Sequence, residues 1–447
     1  MITTVIVANA AEAFEQLLEK VSKTDEGARR IRHEMTLSQR AFFYGGDNKV
    51  IITPQPIPEE LIRRNAALCG FSNVLNICPE KLTVALSRSA SRNTALIELL
   101  TKILPKDNSV EFLPYAAVPA FRIFVREVRK TGIQATTEED SDAFPQWVSE
   151  YLDSKVGFRA EMQRLAGANR RIQIPEGFVG RNAKEAISMA EWFYARGHSA
   201  VIKTNFGESG WGLWALKAEA VLNATAARKA FRLLISSDPI WRNTLFVVEE
   251  FIEADESVAG GSPSVELFIG NDSPRATYCC GQLLDSGKFF GIEMGKGILP
   301  RRIKDALVQI ALAVGDRYHE LGYRGFCDID FVVARNGDLY AVETNPRRTG
   351  GTHVYDLAKR LFGNSWESER YFLSHDSFQY GAHVLSAGDL LEITQPLLFP
   401  IRGKQRGVVI TSVNPTDPVI GYVIIETDKK SGARTQPHLH SLFGTVR

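Results

Sequence analysis

The sequence has little that would staple it, anchor it in a membrane or give it a one-signed field. Five cysteines occur in 447 residues, Cys69, Cys78, Cys279, Cys280 and Cys327, and no pair has CxxC spacing. The odd count argues against a disulfide framework and fits reduced thiols, so a cytoplasmic location is expected. No apolar stretch approaches 18 residues, which predicts no transmembrane helix. The opening MITTVIVANAAEAFEQL lacks the positive n-region of a signal peptide and turns acidic by Glu12. Charge bias is also missing. Lys plus Arg is 53 against 52 for Asp plus Glu, so neither nucleic acid nor an anionic membrane is an expected partner. There is no GxxxxGK[ST], which excludes a P-loop, and no GxGxxG after a strand, which counts against a dinucleotide dehydrogenase.

What is present is ordinary globular material. Hydrophobic residues make up 44% and charged residues 23%. The length predicts about three domains. Over residues 1–145, the apolar runs Thr3–Val7, Val50–Ile52, Val74–Ile77 and Val110–Leu113 alternate with helical stretches. That alternation predicts an open α/β domain, and the acidic run Thr137–Asp142 marks its end. Residues 146–364 read as a mixed α+β module. Its helix near Lys304–Leu321 carries Leu307, Ile310, Ala311, Val314 and Tyr318 on one face. Strand signals at Gly407–Val413 and Val419–Glu426 predict a small C-terminal α+β appendage over 365–447.

The most informative segment is Cys327–Arg348. Asn336-Gly337 between two apolar-alternating runs predicts a β-hairpin. A two-residue loop would set Asp330 opposite Glu343 and Asp328 opposite Asn345, all on one face. Carboxylates facing each other at about 5 Å need a cation between them. Mg²⁺ fits, because one or two carboxylates plus phosphates and water complete its shell. Read by itself, the segment also fits an exposed hairpin with solvated charges.

Two further segments are individually ambiguous. In Ala200–Leu216 a β-branched run ends at Lys203, and glycines follow at Gly207, Gly210 and Gly212. Such a loop can cradle phosphates, or it can be a plain flexible connection. In Leu245–Glu256 an apolar strand ends in Glu249 and Glu250, which alone reads as a strand entering a solvated turn.

Taken in order, the lysine–glycine loop, the strand ending Glu-Glu, the long helix and the hairpin ending Glu343-x-Asn345-x-Arg347 resemble the ATP-grasp superfamily. Asp153-Ser154-Lys155 heading a helix, the break at Ile174-Pro175 and Leu321–Gly325 before the hairpin add to the likeness, which covers about residues 150–352. It implies an ATP-grasp module of two α+β subdomains, with an ATP-clamping part at about 175–250 and a metal hairpin at about 327–352. The N-terminal α/β region would be the domain that usually precedes such a module.

The resemblance also implies roles. Lys155 and Lys203 would bind the α- and β-phosphates. Gly207, Glu208, Ser209, Gly210, Trp211 and Gly212 would close over the β- and γ-phosphates. Glu249 would accept from the adenine amine, with Glu250, Phe251 and Ile252 lining the purine edge. Glu256 would hold the ribose, or Asp255 or Glu266 in its place, since Ala259–Pro263 reads as an insertion. Asp330, Glu343 and Asn345 would hold two Mg²⁺, for which Mn²⁺ can substitute. Arg347, with Lys203, would stabilise the transferring phosphoryl group.

The implied activity is ATP-dependent joining of a carboxylate to an amine through an acyl phosphate. Arg347–Thr352 looks most like the pheganomycin-type peptide ligases. A small amino-acid-like or peptide carboxylate is then expected against Arg348, Gly350, Gly351 and Thr352, with an amine as co-substrate; a homodimer stays open. Two alternatives remain: a bicarbonate-phosphorylating carboxylase subunit and a non-catalytic ATP-binding regulator.

Overall fold

The computed structural model describes residues 1–139, 147–217 and 224–444. The domain boundary expected at 145, and Asp140–Asp142 of the acidic run, lie outside the described residues. Three sheets organise the chain. The first is five-stranded and parallel, in the order β3 (Val74–Ile77), β2 (Lys49–Ile52), β1 (Thr4–Val7), β4 (Val110–Pro114), β5 (Ala135–Thr136). Both β1 and β2 are buried at every residue, as parallel strands with covered faces must be. This is the open α/β arrangement read from the sequence.

The second sheet is antiparallel: β6 (Gly177–Gly180), β9 (Phe246–Glu250), β7 (Ala200–Glu208), β8 (Trp211–Leu216). Here the glycine-rich segment joins β7 to β8. It is a tight hairpin, and Ser209-Gly210 is its two-residue turn. Positive φ at both residues (50° and 82°) makes the primed turn that matches strand twist, which is the local reason for Gly210.

The third sheet has eight antiparallel strands. Their order is β14 (Leu339–Asn345), β13 (Gly325–Val333), β10 (Pro263–Ile269), β11 (Pro274–Asp285), β12 (Lys288–Gly295), β15 (Tyr371–Gln379), β17 (Val419–Glu426), β16 (Gly407–Val413). The last three strands were expected in a separate appendage. Instead they extend the sheet that carries the metal hairpin, because β15 pairs with β12. Adjacent Cys279 and Cys280 face opposite sides of β11, and each joins a different apolar core. Under one face lies the helix Arg301–Glu320, whose Leu307, Ile310, Ala311, Val314 and Tyr318 are buried as the periodicity predicts. Leu307, Ile310 and Val314 each contribute about 1.5–3 kcal/mol on burial.

Candidate active site

β13 and β14 place the carboxylates. Asp330 pairs with Glu343 and Asp328 with Asn345, as the sequence predicts, but the turn is not two residues long. The Ala334 N–H donates to the Asp338 carbonyl, so the loop is Arg335-Asn336-Gly337. A bulge at Val342 then restores the register above it, since Phe331 faces Ala341 and Asp330 faces Glu343. The two offsets cancel. The bulge has a use of its own, as the Val342 carbonyl accepts from Lys203 Nζ at 3.1 Å.

Asp328 is buried, and Asp330, two residues along the same face, is half-buried. Burial, and for Asp330 the facing Asp328 and Glu343 charges, push both carboxyls above their ordinary range. Asp328 accepts from Ser264 Oγ at 2.6 Å, while Asp330 accepts from Gln282 and, at 3.1 Å, from Asn345 Nδ2. Lys155 is ion-paired with Glu343, and Arg347 with Asp153. Arg347 also donates to Asn345 Oδ1 at 2.8 Å. Two cationic side chains thus sit where the carboxylate face needs positive charge. The donor set is all oxygen and amide, which suits Mg²⁺ and not a thiolate or imidazole metal. Among the described residues no group of three or more His, Cys, Asp and Glu is gathered to hold a metal. A site of two carboxylates completed by water and phosphates does not require one.

Lys155 heads the helix Lys155–Ala168, whose start is fixed by Ser154 Oγ accepting from the Gly157 N–H at 2.9 Å. Lys203 lies on β7 and pairs with Glu249 Oε2 at 2.6 Å, while Arg159 Nη1 takes the other oxygen at 3.0 Å. Both Glu249 oxygens are therefore held by cations. An adenine amine, the contact expected of Glu249, would share these oxygens with Lys203 and Arg159. The Glu250 and Phe251 N–H groups bond to the Glu176 and Ser199 carbonyls, so neither amide is free to donate to a purine.

Of the three ribose candidates, burial removes Glu266. It is 0% exposed, pushed up to about 8 by desolvation, and bonded to Thr277, Tyr278 and Thr352. Glu256 is exposed on a turn, and Asp255 accepts from Ser257.

The substrate end needs two corrections. Arg348 is 3% exposed and paired with the equally buried Glu139 at 2.6 Å, with its guanidinium over Phe326. It braces the polypeptide against the first domain and does not reach the cleft. Thr352 also turns inward, accepting from the Thr349 N–H and donating to Glu266. Gly350 and Gly351 do line the cleft. Only glycine fits at 351, where a Cβ would run into Tyr278.

The carboxylate face, Arg347 and the Gly350-Gly351 turn share one cavity of about 1240 Å³. The β7–β8 turn (Glu208–Trp211), Asp328, Asp330, Glu343, Asn345 and Arg347 line one end; Lys155, Lys203, Glu249 and Glu256 do not line it. Across the cavity, Glu208 is tied to Arg30 of the first domain at 2.8 Å. Sequence reasoning missed Asp153, Arg159, Gln282 and Arg30. Asp153 sits in the Asp153-Ser154-Lys155 motif, but its pairing with Arg347 has no local sign, and the other three matter only because a distant element folds against them. Asp328 was legible, since it shares the period-2 face of Asp330.

No family model matches the chain. It is 27% identical over 282 residues to the L-propargylglycine–L-glutamate ligase of Streptantibioticus cattleyicolor, covering 60% of this chain and 54% of that one. It is 27% identical over 157 residues to the D-alanine–D-alanine ligase of Trichlorobacter lovleyi, covering 33% of this chain and 47% of that one. The chain thus spans about half the length of the curated relatives it matches. Among solved structures, the biotin carboxylase–βγ-ATP complex of Campylobacter jejuni superposes with TM-score 0.52 over 97% of this chain and 90% of that one, at 13% identity. The fold is the one shared by that biotin carboxylase and by the N5-carboxyaminoimidazole ribonucleotide synthetase solved with ADP, which superposes with TM-score 0.52 over 98% of this chain and 97% of that one at 10% identity.

Proposed function

We propose that this chain is an ATP-dependent carboxylate–amine ligase that works through an acyl phosphate. The observation that carries the reading is the Asp330–Glu343 face, flanked by Lys155 and Arg347 and opening into a cavity large enough for a second substrate. The resemblance to two amino-acid ligases supports it. Asp330, Glu343 and Asn345 would hold two Mg²⁺, with Mn²⁺ able to substitute. When bound, the ions neutralise phosphate charge that would otherwise repel an attacking carboxylate.

The chain's own residues do the rest. Lys155, paired with Glu343 here, would offer its ammonium to a phosphate. Lys203, held by Glu249, offers a fixed point charge to the nucleotide. Arg347, buried and paired with Asp153, is set to stabilise the transferring phosphoryl group. The β7–β8 turn covers the reacting end and excludes water that would hydrolyse the acyl phosphate. The substrate carboxylate attacks the γ-phosphorus and ADP leaves; the amine then attacks the acyl carbon, and phosphate leaves. The acyl substrate is a small amino-acid-like or peptide carboxylate lying along the Gly350-Gly351 backbone. Five free cysteines fit a reducing compartment and hence a cytoplasmic enzyme.

The test is product analysis with Mg·ATP and paired L-amino acids or short peptides. ADP and phosphate should form only when a carboxylate and an amine substrate are both present. AMP and pyrophosphate as products would mean adenylation and overturn the reading.

A further inference from the structure

The cavity continues well past the metal hairpin, between the first domain and the β15–β17 end of the large sheet. On that far wall stands Arg40, in the turn Ser38–Phe43, only 5% exposed. Its Nη1 pairs with Asp376 Oδ2 at 3.1 Å. Its Nε and Nη2 are buried with no hydrogen-bond partner. Those two nitrogens form one edge of the guanidinium, the planar fork that binds a carboxylate through two parallel bonds. Leaving the donors of a buried cation unmet is costly, so such an edge calls for an anionic ligand. The neighbouring acid on this wall does not supply one: Glu34 is taken by Arg30 at 2.9 Å.

The place of Arg40 relative to the chemistry follows from Gly350. A Cβ there would lie 3.2 Å from Asp376 Oδ2, the same oxygen that holds Arg40. Arg40 is thus separated from the Gly350-Gly351 turn by a single carboxylate. That turn lies just three residues past Arg347 in the chain. The carboxylate being activated must sit at Arg347 and the metal face, so Arg40 cannot be its partner.

We propose that Arg40 binds a second carboxylate, one that is retained in the product. This inference rests on the ligase reading and narrows its substrate class: one co-substrate is a free acid at a position that does not react. The group can belong to an amino acid or peptide that donates the amine, or to a dicarboxylic acyl substrate. Asp376 holds the guanidinium plane and acts as a positioning residue.

The experiment is calorimetric titration of L-amino acids, dicarboxylic amino acids and dipeptides, each as free acid and as amide, into protein loaded with Mg·AMPPNP. Wild type should bind at least one free acid and discriminate against its amide. Arg40→Gln should weaken that acid by roughly 10–10²-fold, the loss of a charge-assisted pair, and abolish the acid–amide discrimination. Arg40→Lys should restore part of the binding and little of the discrimination. Mg·AMPPNP affinity should stay unchanged in both variants, which checks the fold. Loss confined to amides of the amine donor, or to monocarboxylic analogues of the acyl substrate, identifies which substrate carries the group. Equal binding of acids by wild type and Arg40→Gln, or no carboxylate binding by wild type, overturns the proposal. A ligand that depends on Arg40 but supports no ADP release would leave this site standing and remove the ligase reading instead.

Discussion

Glu343→Gln is expected to lower kcat by roughly 10²–10³-fold or more while the protein stays folded. Glutamine keeps the shape of the side chain, and the site is already rich in amides at Gln282 and Asn345. What it removes is one of two facing charges. With Glu343 neutral, the face loses one of the two facing carboxylates that would hold Mg²⁺, and Lys155 loses its ion-pair partner. Phosphates are then held less in line for attack. Nucleotide affinity in the presence of Mg²⁺ should fall alongside turnover, measurable by calorimetry without knowing the second substrate. Near-normal turnover by correctly folded Glu343→Gln protein would remove the metal role.

The largest expected effect on stability comes from Glu249→Ala. Glu249 is 3% exposed, and its carboxylate holds two buried cations, Arg159 and Lys203. Removing it leaves both uncompensated. Breaking a buried pair in this way costs about 3–5 kcal/mol. Arg159 retains its bonds to the Pro175 and Gly177 carbonyls, so the damage should centre on the sheet formed by β6–β9. Scanning calorimetry should show an early transition assigned to that region. Any protein that remains folded should have a raised KM for ATP, because Lys203 is no longer held in place. Glu249→Gln, which still accepts from one cation, should be milder on both counts. An unchanged melting profile for Glu249→Ala would mean that the network contributes nothing net to the fold.

Much of the site was legible because the chemistry lies on local periodicities. Period-2 alternation pairs Asp328 with Asp330 and Glu343 with Asn345 on their strands, and period 3.6 gives the buried stripe of the Arg301–Glu320 helix. The hairpin register came out right for a wrong reason: the longer turn and the Val342 bulge offset each other, and neither leaves a local sign. Glycine spacing at Gly207–Gly212 marked a hairpin loop, but not its length, since the same residues that allow a flexible loop also allow a tight primed turn. Arg348 misled because a sequence does not say which of two adjacent arginines is braced away from the cleft. Its partner, Glu139, lies 209 residues earlier. The strands at 407–413 and 419–426 were found at their observed bounds, but pairing with β15, and so with the metal-bearing sheet, is a long-range event with no local pattern. Arg40 was invisible for the same reason, being an unremarkable residue in a short turn until β15 brings Asp376 to it.

The central claim is that a carboxylate is activated by direct phosphorylation, and the most direct test follows its oxygen. With the acyl substrate labelled by ¹⁸O in its carboxylate, one labelled oxygen should appear in the inorganic phosphate released during coupling, and none in AMP. Label found in AMP, or phosphate free of label while the amide product accumulates, would contradict the acyl-phosphate route and, with it, the roles of Glu343 and Arg347 in phosphoryl transfer.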